Sequence, residues 1–284
     1  MNNILKKSIN SALIILKYVV PIYILADILY YYNALSYISF IFEPISALLD
    51  LPKETSLAII SGMFLNLYAA IAFAAPLDLS SKDWSILAIF LGVAHSLPVE
   101  SAILKKTGIS IRYSLLLRIL GGFLIAYIAT FLPDSVFNSS KDATAFTRTH
   151  YNSFFEMFFL SLKNAFFLSL KIIALITVLI FLMEGFKKLL KNFNVSKTFS
   201  IITGLFLGIT YGAAILIEES KSMKKRDVFF IATFLSICHS IIEDTLLFVI
   251  FGAKFTVVVL IRLIAAIIFA YVLTFFYKKI IKNK

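Results

Sequence analysis

The sequence predicts an all-α polytopic membrane protein made of two related halves, and its composition is the first reason. Apolar residues make up 60% of the chain, charged residues only 15%, and the mean hydropathy is +0.93. A soluble domain carries about 25% charged residues, because water must solvate its surface. Apolar runs of ~20 residues, the length of helix that crosses ~30 Å of hydrocarbon, separate clusters of lysine and arginine. These runs do not alternate between apolar and polar residues, so they indicate helices rather than barrel strands.

The net charge of +11 has a simple explanation in such a chain. Lysine and arginine flank membrane helices and keep loops in the cytoplasm. We therefore expect a multi-pass protein of the cell membrane, with the lipid bilayer as a partner and no nucleic acid.

An internal repeat is the second reason for the predicted fold. An offset of 144 residues aligns residues 83–131 with 227–275 without a gap, and 13 of the 49 pairs are identical. The informative matches are polar: Asp83/Asp227, His95/His239, Ser96/Ser240, Gly108/Gly252, Arg118/Arg262, Tyr127/Tyr271 and Thr130/Thr274. Upstream, the four residues 59–62 resemble residues 201–204. We therefore predict a first half at 1–132, a connecting loop at 133–155 and a second half at 156–284.

Each half contains one apolar segment that decides the topology. The predicted segments are 10–32, 37–50 (amphipathic), 55–75, 84–104 and 112–132, then 156–183, 198–217, 228–250 and 255–277. If 84–104 and 228–250 both span the membrane, the chain crosses eight times and the halves are parallel. If both are re-entrant, each half crosses three times and the halves are inverted.

Pro98 favours the inverted arrangement, because it interrupts the apolar run of 84–104 near its midpoint. Irregular backbone at membrane depth survives only where protein or a water cavity shelters it, and inverted repeats with broken segments are a common transporter plan. We predict inverted halves, each with three spanning helices and one broken or re-entrant segment. On the re-entrant interpretation, residues 77–83 and 104–111 lie on the same side of the membrane.

Each central segment also carries the motif His-Ser-x-x-x-(Glu/Asp)-(Ser/Thr). Its members are His95, Ser96, Glu100 and Ser101 in the first half, and His239, Ser240, Asp244 and Thr245, with the adjacent Glu243, in the second. Ionisable side chains at bilayer depth are costly unless paired, and they are functional-site candidates by default. Imidazole and carboxylate suit a divalent metal, but they can also bind the edge of a nucleobase, relay protons, or simply lock the halves together.

We predict that the two motifs converge on one site near the bilayer midplane. The predicted metal ligands are His95, Glu100, His239 and Asp244. Arg118 and Arg262 each follow the acidic position by 18 residues, and either pair with it or extend to the nearer interface. The third histidine, His150, lies in the predicted connecting loop.

The motif resembles the Gate, or nucleoside recognition, domain family. That family includes spore maturation membrane proteins, the paired Gate segments of the bacterial ferrous-iron transporter and a segment of concentrative nucleoside transporters. Residues 99–104 look like the hairpin tip of the nucleoside transporters, which implies a substrate-binding role for Glu100 and, at the equivalent position, for Asp244. The iron-transporter Gates have a Gly-Cys step where this sequence has Ala94-His95 and Cys238-His239. The resemblance also implies re-entrant hairpins.

These observations favour a permease for a small solute or ion, with the site between the halves and a divalent metal cation as the favoured cargo. The alternatives are a nucleoside-type solute, or a membrane factor that supports envelope or spore assembly without transport. No enzyme activity and no resident cofactor are expected, and a homo-oligomer or a membrane partner stays open.

Overall fold

The computed structural model describes residues 2–137, 151–190 and 223–282, with residues 201–202, 204–206, 208 and 217 between them. This part of the chain is helical and contains no strand, so the predicted all-α class is confirmed. The helices are α1 (Asn2–Tyr31), α2 (Ala34–Ala47), α3 (Thr55–Phe64), α4 (Leu67–Ala74), α5 (Ser81–Ala94), α6 (Leu97–Lys105), α7 (Ile111–Thr130), α8 (Phe154–Leu190), α9 (Lys225–Ile237), α10 (Ile241–Val249) and α11 (Phe255–Lys282), with a 3₁₀ turn at Asp134–Val136.

Six helical stretches in the described residues are long and apolar enough to cross a membrane. They are Leu5–Tyr31, Ser81–Lys105, Ile111–Thr130, Phe154–Leu182, Lys225–Val249 and Phe255–Tyr277. The multi-pass prediction is therefore confirmed. The predicted segment 198–217 and the loop 133–155, with His150, lie mostly outside the described residues.

Both central segments are broken, as predicted, but Pro98 does not break the first one. The prediction was wrong on this point, since α5 ends at Ala94 and Pro98 lies in the first turn of α6, where a proline costs no helical hydrogen bond. The break is at Ser96, whose left-handed backbone has a φ of 46°, and Ser240 has a φ of 45° at the equivalent place. This conformation costs an L residue roughly 1–2 kcal/mol, so surrounding contacts must hold it.

The predicted helix over 55–75 is wrong, because the chain forms a hairpin there instead. Helices α3 and α4 pack against each other, and Asn66, between them, caps α4 by accepting a hydrogen bond from the backbone N–H of Ala69 (3.0 Å). The hairpin tip reaches the break in the central segment, where the N–H of Ser96 donates to the carbonyl of Gly62 (2.9 Å). With 10 and 8 residues, neither helix is long enough to span a membrane, so we expect this hairpin to be the re-entrant segment of the first half.

The central segment of the first half crosses the molecule, contrary to the re-entrant interpretation. Helices α5 and α7 are antiparallel, because Lys82 pairs with Asp134 just beyond α7 (2.9 Å) and the rings of Phe90 and Phe123 lie 4.5 Å apart. Ser81 therefore lies level with the end of α7. Helix α6 ends shortly before α7 begins, and the 20-residue α7 spans ~30 Å. Residues 77–83 and 104–111 thus lie at opposite ends, and the prediction that they share a side is wrong.

The central segment of the second half runs in the opposite direction. The N–H of Lys254, before α11, donates to the Ser85 hydroxyl in α5 (2.8 Å), whereas the ring of Phe229, near the start of α9, stacks on Tyr277 at the far end of α11 (4.3 Å). Tyr113, at the start of α7, also contacts Phe229 (4.9 Å). Because the counterpart of the α3–α4 hairpin falls in 198–217, the inverted relation of the complete halves stays a prediction.

This arrangement collects the basic clusters at one end. We call residues 81–85, 134–137 and 252–254 the Ser81 end, and residues 105–113, 225–229 and 277–282 the Tyr113 end. The Tyr113 end carries Lys105, Lys106, Arg112, Lys225, Arg226 and the lysines that close α11. The positive-inside rule therefore predicts that the Tyr113 end faces the cytoplasm.

We expect Asp78→Cys to be labelled by a membrane-impermeant thiol reagent from outside the cell, and Lys106→Cys only after permeabilisation. Both side chains are exposed, and the native Cys238 is buried, so the unmodified protein supplies the background. Labelling of both variants from one side would restore the re-entrant topology.

Candidate functional site

Two buried arginines donate hydrogen bonds to backbone carbonyls at the points where the central segments break. Arg118, from α7, donates to the carbonyls of Val93 and His95 (both 2.7 Å), and Arg262, from α11, donates to the carbonyl of His239 (2.9 Å). The last carbonyls of any helix lack partners within the helix, and hydrocarbon offers none. Both arginines are 0% exposed. Of the two alternatives for these residues, extension to the interface is therefore wrong.

Arg262 also joins the two halves. Its guanidinium donates to the carbonyl of Gly92 in α5 (2.6 Å) as well as to that of His239. A Cβ at position 92 would lie 2.6 Å from the guanidinium carbon of Arg262, so only glycine leaves room for this contact. The sequence did not reveal Gly92, because its counterpart in the repeat is Ser236.

Glu100 lies at the centre of the site. Its carboxylate pairs with Arg118 (2.5 Å), faces Nε2 of His95 (3.1 Å) and faces Nε2 of His239 from the other half (3.2 Å). The two imidazole ring centres are 5.2 Å apart. The structure therefore brings together three of the four predicted metal ligands, and these residues are 1–8% exposed.

The hydrogen bonds of the two histidines show which ring nitrogen of each residue faces Glu100. Nδ1 of His95 lies 2.7 Å from the carbonyl of Leu91, and Nδ1 of His239 lies 2.8 Å from that of Leu235. A carbonyl only accepts, so each Nδ1 carries a proton, and Nε2 is the ring nitrogen that faces Glu100, either as a lone-pair ligand of a cation or, with a second proton, as a donor to the carboxylate. One ligand atom from each histidine and one from Glu100 lie within 4.8 Å of one another. Either protons on the Nε2 atoms or a metal cation between the three residues would satisfy this arrangement.

Asp244 lies outside this group of three ligands and is held more loosely than Glu100. It is 5% exposed, and its carboxylate is 3.5 Å from Arg262, which is an ionic contact but too long for a good hydrogen bond. Aspartate is one methylene shorter than glutamate, so it reaches less far from its helix. The adjacent Glu243 is half-buried and is also absent from the group. The second half therefore contributes His239, but not its carboxylates, to the candidate metal site.

The two serines of the first motif make structural hydrogen bonds. Ser96 donates to the carbonyl of Leu65 at the hairpin tip (3.0 Å), and Ser101 shares a hydrogen bond with Ser114 (3.0 Å). A Cβ on Gly208 would lie 2.5 Å from the Ser240 hydroxyl oxygen, so the chain passes closely there. The sequence match between 59–62 and 201–204 was the signal for this contact, since the N–H of Ser240 donates to the carbonyl of Gly204 (3.3 Å) as that of Ser96 does to Gly62.

Several buried polar atoms of these residues have no hydrogen-bond partner. They include Nη1 of Arg118, Nε and Nη1 of Arg262, Nε2 of His239, Oδ2 of Asp244 and Oγ1 of Thr245. An unpartnered buried donor or acceptor costs about 1–3 kcal/mol. Both donors and acceptors are represented, so a polar ligand that offers both would find partners among them.

The fold defines an all-α, multi-pass membrane protein with a polar site between its broken helices. The family model described as Gate, nucleoside recognition, matches residues 12–133, so the resemblance seen in the sequence is confirmed. The chain is similar to the uncharacterized membrane protein YvoD of Bacillus subtilis (strain 168), with 27% identity over 93% of this chain and 90% of that protein. No solved structure matches the chain.

Replacement of Gly92 by alanine tests the contact between the halves. We expect Gly92→Ala to lower thermal stability in detergent, because the added methyl group displaces Arg262 and overpacking costs about 1–3 kcal/mol. Gly121→Ala is the matched control, since its Cβ would meet its nearest neighbour at an ordinary 3.5 Å. Alanine gains similar helix propensity at both sites, so equal melting temperatures would contradict the proposed role of Gly92.

Proposed function

We propose that this protein is a permease that carries a divalent metal cation through a site between its two broken helices. The observation that supports this proposal most directly is the convergence of Nε2 of His95, Nε2 of His239 and the Glu100 carboxylate, which come from both halves. Imidazole with carboxylate is a donor set for borderline divalent cations such as Fe(II), Mn(II) and Zn(II).

The surroundings of the histidines support the same proposal. In metal sites, the nitrogen that does not bind the metal commonly donates to a backbone carbonyl, which fixes the ring and its tautomer. His95 and His239 both have this arrangement, with Leu91 and Leu235 as acceptors. Broken helices that cross at the middle of the membrane are also where secondary transporters bind their cargo.

The local charge is the main argument for a different cargo. Glu100 and Asp244 are balanced by Arg118 and Arg262, so a dication would leave a net positive charge unless Glu243 contributes. A neutral nucleoside-type solute would avoid this cost and would use the unpartnered donors and acceptors near the site. The description of the matched family as nucleoside recognition is consistent with that second candidate.

The two cargoes are distinguished by uptake into proteoliposomes. We expect wild-type protein to take up Fe(II), Mn(II) or Zn(II), and the double variant His95→Ala, His239→Ala to lose at least about tenfold, since even outer-shell partners contribute about 10- to 100-fold to metal affinity. His150→Ala is the matched control, because it removes the remaining histidine of the chain outside the motif. Nucleoside uptake that needs Glu100 would favour the second candidate. The absence of any flux would favour a membrane factor that acts without transport.

A further inference from the structure

A groove at the Tyr113 end lies outside the site between the broken helices. It has a volume of about 770 Å³ and runs between the start of α9 and the last turns of α11. Its walls include Phe230, Tyr271, Phe275 and Phe276. Tyr271 and Phe275 are both 66% exposed, and α11 is a candidate spanning helix. This part of the groove therefore faces the bilayer rather than the interior of the protein.

The polar end of the groove carries a net positive charge. Arg226 lines it next to Asp227, and Lys224 and Lys225 precede them with exposed side chains. Three basic groups against one carboxylate leave this helix start positive by two charges. Asp227 lies in the first turn of α9, where a carboxylate stabilises the helix N-terminus. The remaining positive charge suits an anionic headgroup.

A buried hydroxyl provides a second, independent observation. Thr274 lines the groove, is only 3% exposed, and its Oγ1 has no hydrogen-bond partner. A hydroxyl in contact with hydrocarbon normally donates to a nearby carbonyl of its own helix. Thr274 therefore has an unsatisfied donor in the wall of the groove, which a polar group of the occupant would satisfy.

The first half supplies an internal comparison, because its equivalent residues find partners within the protein. The counterpart of Arg226 is Lys82, which pairs with Asp134 (2.9 Å). The counterpart of Thr274 is Thr130, whose hydroxyl donates to the carbonyl of Tyr127 (2.8 Å). Among the residues that the structure describes, the second half alone leaves both the cation and the hydroxyl without such a partner, so the groove is more than a by-product of the repeat.

We infer that this groove binds one anionic phospholipid of the leaflet at the Tyr113 end. Its phosphate pairs with Arg226, an oxygen of the glycerol ester region accepts from Thr274, and an acyl chain lies against Phe275 and Phe276. Basic pockets between membrane helices are known to select anionic headgroups, and each basic group near the surface contributes about 1 kcal/mol. The aromatic walls supply the apolar contact that a free phosphate could not use.

Native mass spectrometry of the full-length protein in detergent can test this inference. The probes are phosphatidylglycerol and phosphatidylcholine with identical acyl chains. We expect phosphatidylglycerol to fill one site at a lower concentration than phosphatidylcholine, and Arg226→Gln to weaken its binding about fivefold, as expected for the loss of one basic group. Thr274→Val should weaken both lipids, because both carry the ester oxygens.

Lys106→Gln is the matched control, since it removes a basic group at the same end but outside the groove. Its affinity for phosphatidylglycerol should equal that of the wild type. Equal affinities for the two lipids in the wild-type protein would overturn the inference. So would equal losses in Arg226→Gln and Lys106→Gln, which would indicate a diffuse basic surface, or displacement of the lipid by millimolar inorganic phosphate, which would indicate a headgroup site without the apolar groove.

Discussion

The need to satisfy backbone carbonyls inside hydrocarbon is the constraint on which the centre of this protein depends. Each central segment stops being helical at its histidine or just before it, and an arginine from the next spanning helix donates to the carbonyls left there. A buried guanidinium in turn requires a carboxylate, because an unpaired charge at that depth would cost several kcal/mol. Arg118 therefore requires Glu100, and Glu100 lies where both histidines can reach it. The polar cluster and the break are two consequences of the same interaction.

Because the two halves repeat the same motif, the differences between them are informative. Glu100 is held by three partners, whereas Asp244 has one long contact with Arg262. Glu243 stands where the first half has Val99, so the second half carries one more carboxylate. Arg262 is also shared with Gly92 of the first half. Glu100 of the first half is thus a firmly held anionic centre. Asp244 of the second half is held more loosely, and its partner Arg262 connects the two halves.

The sequence predicted the helical class, the breaks and the convergence of the two histidines, because these follow from apolar length and from polar residues repeated at a fixed offset. It did not predict which segment re-enters. Residues 55–75 are as apolar as a spanning helix, and their reversal at Asn66 depends on docking against the break at Ser96, a contact that no local pattern records. The role of Gly92 was missed for the same reason, since its importance lies in the space that Arg262 occupies.

The double role of Arg118 has a consequence for any cation that binds Glu100. The same guanidinium neutralises the carboxylate and bonds the carbonyls of Val93 and His95. A cation at Glu100 competes with Arg118 for that charge, so its binding is weaker than at an unpaired carboxylate. Weak binding suits a cargo that must leave again. Because Arg118 also holds the end of α5, a change in its pairing with Glu100 acts directly on the geometry of the break. Occupancy of the site and the shape of the broken helix are therefore linked through one side chain.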